Sequence, residues 1–147
     1  MSYKNIKAEI PEEKMILVKK SMKEIDLALP FTINLTLEEK RALPKMGDKS
    51  IVFVEKALEF ASENTQYLPS FVEINDFKQD IDLAKDLKTI LRILEPLTEK
   101  ITDTFYAVGS EAFTAALIFY SCVKRASKMG VPGSDTIAKE LQKRYKF

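Results

Sequence analysis

Residues 112–123 read Ala-Phe-Thr-Ala-Ala-Leu-Ile-Phe-Tyr-Ser-Cys-Val, and only Thr114 and Ser121 interrupt the apolar run. Both flanks are punctuated. Gly109-Ser110-Glu111 offers a hydroxyl N-cap and a first-turn acid, while Lys124, Arg125 and Lys128 place cations at the opposite end of the helix dipole. Gly130 suits the left-handed residue that closes a helix, and Pro132 blocks continuation. The spacing predicts one complete helix from Ser110 to about Lys128. A helix this apolar must be covered on most sides, because apolar surface left in water costs about 25 cal/mol per Å². Other helices have to pack around it.

The rest of the chain carries helical signals of its own. Pro11-Glu12-Glu13 puts proline at a helix start with acids in the first turn, and Val18, Met22, Ile25 and Leu29 follow in one stripe that Pro30 ends. Met15-Ile16-Leu17-Val18 also suits a short strand. Phe31-Thr32-Ile33-Asn34-Leu35 alternates like a strand but finds no partner segment, which predicts an extended stretch. Thr36-Leu37-Glu38-Glu39 is a capping box, opening a short helix that Pro44 closes.

Asp48 should cap a helix from Lys49 to about Thr65, with Ile51, Val54, Leu58 and Ala61 on one face. Asn75-Asp76 opens a longer one, with Ile81, Ala84, Leu87, Leu91 and Leu94 inward. Pro96 should kink that helix or start a new one reaching Tyr106, since an interior proline removes a hydrogen bond. Ser134 or Asp135 caps a last helix ending near Tyr145. The expected fold is all-α: an antiparallel four-helix bundle over residues 11–147, with short accessory helices and an extended N-terminal segment. Residues 1–10 form a flexible arm.

Bulk properties exclude more than they suggest. A net charge of +1 gives no global pull toward nucleic acid, membranes or acidic ligands. The N-terminus lacks the basic and apolar pattern of a signal peptide, and no run reaches the ~20 apolar residues that span a bilayer. With the single cysteine, this points to the cytoplasm. The absence of histidine removes the commonest general base and zinc ligand. No inward-facing carboxylate pair replaces it, so neither a metal nor another cofactor is expected. Cys122 lies on the apolar arc and reads as inert core.

Three surfaces remain as candidates. Lys88 and Glu95 border the inward stripe of the long helix, where with Tyr106, Glu111 or Tyr120 they could line an inter-helix pocket for a small ligand or substrate. The competing reading has each head group snorkelling to water. Basic residues at Lys124, Arg125, Lys128, Lys139, Lys143, Arg144 and Lys146 could gather into a patch, but no nucleic-acid-reading motif accompanies them. The third is a protein-contact surface. Ala112, Ala115, Ala116, Phe119, Cys122, Val123 and Ala126 read as the core face, and Phe113, Leu117 and Tyr120 add a second stripe beside it. That arc is wider than a bundle helix needs. Either the last helix or another protein, a second copy included, should cover the surplus. The expected function is accordingly non-enzymatic protein–protein contact.

Leu35-Thr36-x-Glu38-Glu39, Pro44-Lys45-Met46-Gly47-Asp48-Lys49-Ser50, Phe53-Val54-Glu55-Lys56 and Gly109-Ser110-Glu111-Ala112 with Gly130-Val131-Pro132-Gly133 together resemble a family of small uncharacterised bacterial proteins. The resemblance covers about residues 35–147. It implies a helical bundle of bacterial, cytoplasmic origin, and it brings no activity and no site residue.

Overall fold

Pro11 at the threshold of a run of good helix formers, and acids in the turn after it, start the first of five α-helices. The computed structural model describes residues 4–145. Its helices are α1 (Glu12–Ala28), α2 (Leu37–Ala42), α3 (Asp48–Glu63), α4 (Ile74–Lys128) and α5 (Ser134–Arg144), with a 3-10 turn at Thr65–Tyr67. Among the described residues there is no strand, so the fold is all-α. Residues 15–18 are helical, and 31–35 form a turn running into an extended segment. Lys146, counted with the basic residues, and residues 1–3 of the arm lie outside the described residues.

Local chemistry accounts for some of the helix ends. Glu39 N–H donates to Thr36 Oγ1 at 3.1 Å and Thr36 N–H donates to Glu39 Oε1 at 3.1 Å, the reciprocal pair that the capping box requires. These bonds, the backbone one foremost, hold the Glu39 carboxyl below its usual range. Asp48 makes no side-chain cap at the start of α3, where Gly47 holds the cap position. At the other end of the chain Gly130 and Gly133 sit at φ 79° and 82°, the left-handed region that glycine enters freely. Neither has any atom within 4 Å of where a Cβ would stand, so a side chain there meets strain and no clash. Gly133→Ala is expected to cost about 1–2 kcal/mol from backbone strain alone, read as a shift of the urea midpoint at constant slope.

The largest departure from the sequence expectation lies in the middle of α4. The helix runs unbroken through Pro96 and through Gly109-Ser110-Glu111, 55 residues in all. Ser110 therefore caps nothing, and the predicted 110–128 helix is the last third of α4. A serine N-cap is worth only about 1 kcal/mol and an interior glycine costs about as much. Ending the helix there would also leave up to four N–H and four C=O groups without helical partners. Continuity wins that comparison.

The chain divides into two compact units, residues 9–94 and residues 1–8 with 95–147. In the first, buried or half-buried positions recur at helical spacing on α3 (Ile51, Val54, Leu58, Ala61) and on α4 (Ile74, Phe77, Ile81, Ala84). Lys85 Nζ lies 3.0 Å from Glu55 Oε1 and links α4 to α3. Both partners are half exposed, so the pair orients more than it stabilises. Ile81, 4% exposed, is the most covered apolar residue of this unit. α1 buries none of its residues.

In the second unit α5 turns back along the end of α4. Ser134, buried at the turn, donates from Oγ to the Val131 carbonyl at 2.6 Å, and Val123 is 8% exposed beneath it. Asp135 Oδ1 accepts from Ser127 Oγ at 3.1 Å, and its Oδ2 lies 3.0 Å from Lys139 Nζ. The segment preceding α1 is tied as well: Ile6 N–H donates to Glu111 Oε1 at 3.0 Å.

Candidate contact surface

An apolar helix face needs a cover, and α5 supplies one for a single stripe of α4. The ring of Tyr145 stacks on Phe113 with centroids 6.2 Å apart and meets Tyr120 at 6.1 Å. Lys124 Nζ stands 4.7 Å from the centre of the Tyr120 ring. Phe113, Leu117 and Tyr120 thus share a cleft of about 160 Å³ with Leu141 and Tyr145 of the α5 arm. Here the stripe read as surplus in the sequence lies against the chain's own last helix.

The stripe read as core has the opposite fate. Ala112, Ala115, Ala116, Phe119 and Cys122 are exposed; of that face Val123 is buried and Ala126 half-buried. Cys122 is a free, exposed thiol, where the sequence reading placed inert core. Periodicity identifies a face that needs cover, but it cannot say which segment provides it.

The pocket residues are scattered. Lys88 and Glu95 are both exposed and belong to different units, and Tyr106 is 65% exposed. Glu111 is half-buried and holds the Ile6 N–H, while Tyr120 serves the aromatic cluster. Sequence reasoning passed over Ile6, whose contribution is a backbone donor with no residue signature. Of the basic residues, Lys139 pairs with Asp135 and Arg144 with Glu140 at 3.0 Å, four residues back along α5 in each case. Those two charges serve the helix itself.

Charge at Asp135 gives the α4–α5 turn a pH dependence. Its carboxyl is held below the ordinary value of 3.8, first by the hydrogen bond from Lys139, then by that from Ser127 and by the Lys139 charge. A depressed folded value contributes stability that is present above pH 3.8 and is lost as pH falls through the folded value. Protection of the amides around Ser134, measured against their intrinsic exchange rates, should therefore fall in acid below that point. Asp135→Asn should exchange faster at neutral pH and lose that acid step.

The described residues define an all-α chain whose second unit presents one covered and one uncovered apolar stripe on a single helix. By length and composition α4 could also cross a membrane, with a mean hydropathy of 1.3 over its most apolar 18 residues. The sequence reading stopped that run at Glu111; continuity of the helix adds Phe105 to Val108 to it. The chain matches no protein-family model, no curated protein and no solved structure.

Proposed function

We propose that this is a non-enzymatic helical module that works by contact with other protein chains, its four-helix bundle closing only when such a chain supplies the missing helices. The carrying observation is the apolar surface left in water. Ile101, Phe105 and Phe119 are each more than half exposed along α4, as are Ile16, Leu17 and Met22 on α1. Exposed apolar patches beyond a few hundred Å² mark interaction surfaces. The resemblance noted above adds a bacterial cytoplasm as the setting.

Association-linked folding has a direct signature, because anything that binds only the folded chain raises its melting point by mass action. The melting midpoint of the purified chain is expected to rise with protein concentration over the micromolar range. A monomer that melts cooperatively at a fixed midpoint and takes up no hydrophobic dye would overturn the reading.

A further inference from the structure

The phase of the apolar repeat on α4 becomes visible only because the helix does not break at Gly109. Thr98, Ile101, Phe105 and Val108 lead into Ala112, Ala115, Phe119 and Cys122, so spacings of three and four alternate through eight positions with one polar residue among them. Such a repeat is the seam along which two helices supercoil. All eight positions are exposed, Ile101 and Phe105 at 60% and 67%. α5 leaves the seam open from Thr98 to Phe119, because it lies against the neighbouring stripe of Phe113, Leu117 and Tyr120; at Cys122 the α4–α5 turn comes alongside with Val131, Ser134 and Ile137.

We infer that a second copy of this chain covers the seam, the two α4 helices running antiparallel about a twofold axis at Ser110. The inference rests on the protein-contact reading above and names its partner. Side-chain volume is the first argument. The antiparallel register that matches every seam position sets Phe105 against the partner's Ala115, Val108 against the partner's Ala112, and Ile101 against the partner's Phe119. Thr98 then meets the partner's Cys122. A parallel pair would set each residue on itself, wide at Phe105 and Phe119 and hollow at Ala112 and Ala115. Helix separation follows the side chains at the contact, so self-matched layers cannot all close at one spacing.

Charge is the second argument. Over the 18 residues before the axis α4 carries Glu95, Glu99 and Asp103 against Arg92 and Lys100; over the 18 after it, Lys124, Arg125 and Lys128 against Glu111. Antiparallel helices bring the acidic half of each to the basic half of the other, whereas parallel helices stack like on like. Extent is the third: the eight exposed seam positions run 24 residues along α4, about 36 Å of helix, and all lie within one unit.

Sedimentation of the full-length chain tests this, with Phe105→Glu on the seam and Ile93→Lys as an equally exposed control off it. The wild type should sediment as a dimer or a multiple of one. F105E should weaken association about 30-fold or more, as loss of a central interface anchor does, and I93K should leave it unchanged. Orientation is read by oxidation. In the antiparallel pair the two Cys122 thiols stand 24 residues apart along the seam, about 36 Å, and cannot join. The wild type should therefore form no disulfide dimer, and Thr98→Cys should form one through the partner's Cys122. Disulfide dimers of the wild type would overturn the antiparallel pairing, as would T98C that stays uncrosslinked. An oligomer unmoved by F105E would overturn the seam and leave the wider reading standing. A chain that sediments as a monomer and floats with neutral phosphatidylcholine vesicles would assign the face to lipid and overturn both.

Discussion

Truncation of Ile81 to alanine is expected to lower the unfolding free energy by about 3 kcal/mol, the middle of the range for an isoleucine removed from a covered site. Ile81 is 4% exposed, one helical turn before the Lys85 that pairs with Glu55 of α3. Losing three carbons there forfeits their transfer from water and leaves a void that the Lys85–Glu55 pair, 3.0 Å long and half exposed, has little force to close. The same truncation at Ile93, 68% exposed, should stay within about 0.5 kcal/mol. Urea unfolding of the two variants at one protein concentration separates them. Equal losses would show that Ile93 is covered in the folded assembly and that a partner reaches the first unit as well.

That contrast measures how much of the architecture was legible beforehand. The capping box at Thr36 was fully legible, because all its partners lie within four residues and depend on no other segment. The inward stripe of α4 was legible at Ile81, Ala84, Leu87 and Leu94, because helical periodicity survives whatever packs against it, while Leu91 on the same stripe is exposed. Gly109-Ser110-Glu111 misled for the converse reason. A hydroxyl after a glycine is a preference of about 1 kcal/mol, and the unbroken hydrogen-bond ladder outweighs it. Since a single misread boundary hid the phase of the seam, the apolar residues after it looked like an isolated core helix.

The contact surface was half legible. Phe113, Leu117 and Tyr120 were found by their spacing, and the Ile137, Leu141, Tyr145 stripe that meets them was visible on α5. The exposure of Ala112, Ala115 and Phe119 was not, because amphipathicity gives the width of the face to be covered and leaves open which chain covers it. The proposed ligand pocket depended on Lys88 and Glu95 flanking an interior, and on α4 both stand in solvent. Cys122 was misplaced by the same step: its neighbours on the wheel are apolar, and their cover was assumed to be internal.

Replacing Pro96 by alanine is expected to stabilise the chain by about 2 kcal/mol. The proline lies inside α4, 22 residues beyond Ile74, and its ring is exposed, so it contributes no covered contact for alanine to lose. An interior proline denies the Arg92 carbonyl its helical donor and crowds the preceding turn, at about 3 kcal/mol. Against this, alanine frees the unfolded chain and returns about 0.4–1 kcal/mol of that gain. For a chain of this size the balance corresponds to a rise in melting point of about 6 °C. The helix content should not change, because the residues on both sides of Pro96 are helical already. A variant that melts lower than the wild type would show that the chain needs the ring's constraint more than the bond to Arg92, and that an ideal α-helix through this point is not the geometry in which the folded assembly closes.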